Sequence, residues 1–201
     1  MIFAVVHRTD YQLKNMHMKT YTLLGISGSL REKSYNTALL HAFKSAAPEG
    51  VNVEIVDIGE IPHFNQDDEA NFPEIATALK AKIEAVDGII LATPEYNRSV
   101  PGVLKNVIDW TSRPWGKNSW AGKPVYVVSA SVGPLSGALA QYELKKIMLY
   151  LDAHVLGQPE FFLGNATTKF DESNVLTDED TKAHVGSALA KFTSFIDTLQ
   201  S

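Results

Sequence analysis

Asp87-Gly88-Ile89-Ile90-Leu91-Ala92-Thr93 is a short apolar run that stops at Pro94-Glu95-Tyr96-Asn97, with Arg98-Ser99-Val100-Pro101-Gly102 behind it. A run this short and this apolar, bounded by proline and glycine, predicts a strand buried on both faces, as in a parallel sheet. An open parallel sheet takes its ligands outside the carboxyl ends of its strands. Glu95, Tyr96 and Asn97 put a carboxylate, a flat aromatic face and an amide there, beside backbone held by two prolines. That set suits the edge of a planar heterocycle. As a Pro-bounded surface turn, the same loop would need no ligand.

A second loop has the same placement. Tyr21-Thr22-Leu23-Leu24-Gly25-Ile26 reads as a buried strand and runs into Ser27 through Asn36. A helix over Thr37–Ala46 follows, with apolar residues at 38, 39, 42, 43 and 46 facing a sheet. The loop therefore opens a helix N-terminus, where free N–H groups and the helix dipole favour an anion. Ser27, Ser29, Arg31, Ser34 and Asn36 add donors suited to phosphate oxygens. Helix capping by Ser34 or Asn36 accounts for one or two of these donors, not for five within ten residues. Neither G-x-x-x-x-G-K-[ST] nor G-x-G-x-x-G is present. A nucleophile elbow would need glycine where Ser29 stands, and no histidine follows in a hydrolase order, so a hydrolase is rejected.

The third loop, Ser131-Val132-Gly133-Pro134-Leu135-Ser136-Gly137, follows the strand-like Lys123–Ala130 and precedes a helix from Ala138 to about Asp152. Its small residues let backbone approach a ligand closely. Val51–Val56 alternates as a strand, and Glu160–Leu163 reads as a late edge strand. Further helices are expected at Pro73–Ala85 and Val103–Thr111, and Thr177-Asp178-Glu179-Asp180 is read as the cap of a terminal helix ending near Leu199, with Ile61–Phe72 a loop. The pattern is α/β: a flavodoxin-like, doubly wound, five-stranded parallel sheet of order 2-1-3-4-5 with helices on both faces. A mononucleotide lies across the switch point of such a sheet, between its first and third strands.

At these residues the chain resembles the NADPH-dependent FMN reductase family, in its chromate, quinone and azo-compound reductase branch. Gly28-Ser29-Leu30-Arg31 with Ser34 and Asn36 is similar to the family's flavin phosphate loop. Pro94 through Asn97 with Ser99, Pro101, Gly102, Leu104-Lys105-Asn106, Asp109 and Trp110 resembles its longest signature. Ser131–Gly137 and Ala140-Gln141-Tyr142 resemble its third segment, and the similarity spans about Tyr21 to Leu163. The resemblance implies noncovalent FMN, hydride uptake from NADPH or NADH, and two-electron delivery to a small-molecule acceptor such as a quinone or azo compound. It implies that Ser29, Arg31, Ser34 and Asn36 hold the phosphate and Pro94, Glu95, Tyr96 and Asn97 the ring. Ser131 and Gly133 close the other side. The flavin would carry the chemistry, with no side chain needed as acid or base. The chain departs from the family with Ser136-Gly137 for a glycine pair, and with Glu143 and Lys145 in a segment that resembles a subunit contact. A homodimer or homotetramer is the expected assembly.

Composition narrows the alternatives. The chain has 201 residues, 45% hydrophobic and 20% charged, enough for one domain with a sizeable core. It has no cysteine, so any redox chemistry falls to a cofactor rather than a thiol. Its six histidines lack ligand spacing, so no metal site is expected. A net charge of −5 without a basic cluster argues against nucleic acid. No run reaches membrane-span length, and Ile2–Val6 is too short for a signal-peptide core, so a cytoplasmic location is expected. Residues 1–18 read as an N-terminal extension, or as an added strand at 2–6, ahead of an FMN-binding domain over 19–201. Trp115 and Trp120 are read on a loop beside the active face, where they cover a flavin, build a contact or fill the core. Two other classes remain open: a flavodoxin-type electron carrier, and a flavin-binding regulatory module with a protein partner.

Overall fold

The computed structural model describes residues 19–201, so the extension at 1–18 and its strand at 2–6 lie outside the described residues. The strands are β1 (Tyr21–Ser27), β2 (Val51–Val56), β3 (Gly88–Ala92), β4 (Pro124–Ala130), β5 (His154–Val155) and β6 (Phe161–Leu163). The helices are α1 (Tyr35–Ser45), α2 (Glu74–Ala85), α3 (Gly102–Thr111), α4 (Ala138–Tyr150) and α5 (Glu179–Gln200). All pairings are parallel, in the order β2-β1-β3-β4, with β5 and β6 both on the outer edge of β4. This is the expected flavodoxin-like sheet.

Its fifth lane is split. Val125 pairs with Val155 and Val128 with Phe161, so two short strands fill the place of the single late strand. His154–Val155 is too short to show any periodicity. A second difference lies in the expected loop Ile61–Phe72, which contains a 3-10 helix at Gln66–Asn71. The Asn65 side chain caps it by accepting from the Asp67 N–H at 3.1 Å. Such a short polar helix has no apolar face to reveal it.

Strand side chains alternate between faces, which sorts the core into two layers. Leu23, Ile90, Tyr126 and Val128 pack under α1 and α5, against Leu39, Phe43, Leu189 and Phe192. Leu24, Ile26, Ile89, Leu91 and Val127 pack under α2, α3 and α4, against Ile83, Leu104, Ile108, Leu144 and Met148. The helices thus cover both faces and leave the carboxyl edge of the sheet to loops.

The tryptophan loop is not beside that edge. α3 leaves the carboxyl ends at Gly102 and carries the chain about 15 Å away over its ten residues. Arg113–Gly122 therefore sits at the opposite edge, just before β4 begins. Trp120 is fully buried there and donates Nε1–H to Thr111 Oγ1 at 2.9 Å, so it fills the core. Trp115 is 81% exposed.

Candidate functional site

Three loops meet at the carboxyl ends of β1, β3 and β4, which are neighbours in the sheet. The first opens α1. Ser34 is the N-cap, its hydroxyl accepting from the Thr37 N–H at 3.3 Å, and the first intrahelical bond runs from Ala38 N–H to Ser34 O. The N–H groups of Tyr35 and Asn36 precede that bond and remain available to an anion. Ser29 is buried, and its hydroxyl accepts from the Arg31 N–H. Ser27 Oγ receives the Thr37 hydroxyl at 2.8 Å, which braces the loop from beneath.

Two predicted phosphate donors are placed differently. Asn36 is buried, and its amide grips the backbone of Ala130, Nδ2 donating to the carbonyl and Oδ1 accepting the N–H, both at 2.9 Å. Its side chain therefore fastens α1 to β4, and what it offers an anion is its backbone N–H. The Arg31 guanidinium is exposed and donates to the Lys33 carbonyl at 3.0 Å, folded along its own loop. A cavity of about 440 Å³ lies beside it, lined in part by Ser27, Ser29, Thr37 and Asp57.

The second loop is a tight hairpin. Tyr96 and Ser99 exchange backbone hydrogen bonds at 3.3 and 3.0 Å, and Asn97 and Arg98 between them have φ of 52° and 65°. Two residues with positive φ define a type I′ turn, which asparagine tolerates at its first position. The turn presents the Tyr96 ring to solvent at 50% exposure. Pro94 is buried beneath it, and a Cβ on Gly28 would come within 3.2 Å of both Pro94 Cδ and Leu104 Cδ2. Glycine at 28 lets the first two loops close on each other without displacing either side chain.

The Glu95 carboxylate is engaged within the chain. Its Oε2 accepts from the N–H groups of Leu139 and Ala140 at 3.0 and 3.2 Å, and its Oε1 from Arg98 at 3.0 Å. It caps α4, where the dipole favours a carboxylate. Beside it, the Ser99 hydroxyl donates to Glu143 Oε2 at 2.5 Å and holds that carboxyl below the usual carboxylate range. The hairpin is thereby fastened to α4 at both ends.

The third loop folds over β4. Ser131 Oγ accepts from the Gly133 N–H at 3.2 Å, and a Cβ on Gly133 would meet Ser131 Oγ in ordinary contact at 3.9 Å. A Cβ on Gly137 would meet Ser129 Cβ at 3.0 Å and the Thr93 carbonyl at 3.1 Å, so the α4 N-cap is bare for packing reasons. Sequence reasoning missed the buried Ser129 as the hub of this loop. A serine inside an apolar strand gives no signal until the residues folded over it are known. Lys145 pairs with Glu160 of its own chain at 2.8 Å.

The arrangement can hold an anion at α1, a planar ring against the Tyr96 hairpin, and a close backbone surface at Gly133. Among the described residues no cluster of histidine, aspartate or glutamate suits a metal ion, and no helix is long and apolar enough to cross a membrane.

The family model for NADPH-dependent FMN reductase covers residues 21–168. A 2-hydroxy-1,4-benzoquinone reductase of a Burkholderia species is 41% identical over 171 residues, 85% of this chain and 93% of that protein. An NAD(P)H:quinone oxidoreductase of Solanum tuberosum is 44% identical over 172 residues, 82% of this chain and 87% of its own. Among solved structures, FerB, a flavoenzyme NAD(P)H:(acceptor) oxidoreductase from Paracoccus denitrificans, superposes with a TM-score of 0.83 at 36% identity, covering 89% of this chain and 98% of that one. Fold, loops and relatives agree, and the chain belongs to the NADPH-dependent FMN reductase family, as an oxidoreductase that uses FMN with NADPH or NADH.

Proposed function

We propose that this enzyme reduces quinones with NAD(P)H, and that FMN lies across the three loops. The observation that carries the placement is the convergence of the α1 N-terminus, the Tyr96 hairpin and the Gly133 loop on one edge of the sheet. The names of the similar quinone reductases support the acceptor class. The residues fit FMN in charge and shape. The N–H groups of Tyr35 and Asn36, with Ser29, Ser34 and a re-aimed Arg31, meet a dianionic phosphate. Pro94 through Asn97 line the ring by backbone and by the Tyr96 face, while Ser131 and Gly133 leave room on its other side. When bound, the flavin supplies hydride acceptance and two-electron transfer. The chain's own groups bind and orient the reactants.

The reaction is tested with purified protein. One FMN per chain, and NADPH oxidation by a benzoquinone with parallel double-reciprocal lines, is the expected result; those lines are the signature of one site used in turn. A flavin-loaded protein that leaves NADPH unoxidised would favour the electron-carrier class instead.

We also propose a homodimer or homotetramer. Leu139, Tyr142, Leu149 and Tyr150 form an exposed stripe on α4, Tyr150 at 77%, with Trp115 and Leu135 near its ends. Large apolar side chains exposed along one helix support that reading. A cytoplasmic location is supported by the need for NAD(P)H.

A further inference from the structure

Ser136 holds a left-handed backbone conformation, φ 53°, which glycine adopts freely and serine rarely does. What holds it there is a relay of hydrogen bonds reaching into the core. Gln141, fully buried on α4, donates Nε2–H to Ser129 Oγ and to the Phe161 carbonyl, both at 2.8 Å. The Phe161 carbonyl can only accept, so the amide cannot be turned over. That orientation leaves Gln141 Oε1 buried without a hydrogen-bond partner among the described residues. A native chain that tolerates such a penalty is keeping the donor where it is for a reason.

Ser129 Oγ also accepts from the Gly137 N–H at 3.2 Å and lies 2.8 Å from Ser136 Oγ. A hydroxyl has two lone pairs and one proton. Both lone pairs of Ser129 are taken by N–H donors, so its proton goes to Ser136. Ser136 Oγ is then the acceptor in that pair, and its own proton is left for an acceptor other than Ser129. Ser136 is half-buried, beside the Gly137 backbone that packs on Thr93 at the base of the ring-edge loop.

We infer that Ser136 donates a hydrogen bond to the ring of the bound flavin, with Gln141 as the positioning residue that fixes its polarity through Ser129. The inference rests on the placement of FMN proposed above. Dissociation constants for FMN and for lumiflavin, which has neither phosphate nor ribityl chain, test it. Ser136→Gly suits the left-handed backbone, so apo-protein melting should hold or rise. Both ligands should weaken by the same factor, about 2- to 12-fold, the range of one hydrogen bond. Gln141→Met should weaken both in the Ser136 background and neither in the Ser136→Gly background. Unchanged affinities in Ser136→Gly, or a loss confined to FMN, would overturn the inference while leaving the flavin site in place. Wild-type protein that binds neither ligand would remove the site reading itself, and this inference with it. Should Gln141→Met fail to fold, the Ser136→Gly comparison alone decides.

Discussion

Replacing Glu95 by alanine removes three hydrogen bonds at once, two of them to the first N–H groups of α4. The cost should be about 1–2 kcal/mol in urea unfolding, the range of a lost N-cap. Glu95→Gln should recover part of it, since the carbonyl oxygen still accepts. Arg31→Ala should act on binding instead, because this side chain is exposed and touches only its own loop. FMN affinity should fall about tenfold, the low end for a hydrogen bond to a charged group, and should do so less at high salt. Riboflavin affinity should not change. An equal loss for both ligands would show that Arg31 stays on Lys33 and never meets phosphate. Glu95 and Asn36 also mark the limit of reading residues singly. Their chemistry was evident as carboxylate and amide, but which partner each would find depended on α4 and β4 arriving beside them.

Helix starts were legible because their signals are local. Ser34 before α1 and Asp178 before α5 both cap as their sequences predict. Asp178 accepts from the Thr181 N–H at 3.0 Å, from the Thr181 hydroxyl and from Lys169 at 2.9 Å. Those contacts, the Thr181 hydroxyl foremost, lower its pKa from 3.8 to about 2. A depressed folded-state value means that the carboxylate's stabilisation is whole above the unfolded value and is lost as acid protonates the folded state. Urea midpoints should therefore fall between about pH 4 and pH 2, and Asp178→Asn should flatten that part of the profile. The break in the fifth lane and the direction of the tryptophan loop were not legible in the same way. β5 gets its identity from Pro124 and Val125 across the gap, and Trp115 is carried away from the ligand edge by the length of α3.

At the scale of the whole molecule, the α4 stripe gives the clearest test. Leu149→Glu with Tyr150→Glu should shift light scattering toward the mass of one chain, since charge at two apolar positions of the stripe exceeds what a modest interface withstands. A wild-type protein that is monomeric at micromolar concentration with full activity would remove the homo-oligomer. The domain boundary is tested by starting the chain at Met18, which keeps Lys19 and its ion pair with Asp197. Flavin content should persist and melting should stay within about 4 °C, roughly 1 kcal/mol for a chain of this size.

The divided outer lane also bears on how the enzyme behaves when concentrated. A sheet that ends in one long strand displays a row of unmet N–H and C=O groups, on which another chain can build. Here the last lane offers two residues, then a departure, then three. Neither piece is long enough to template a neighbour's strand, so this edge is closed to strand addition, and that route is left to the six-residue β2 at the opposite edge.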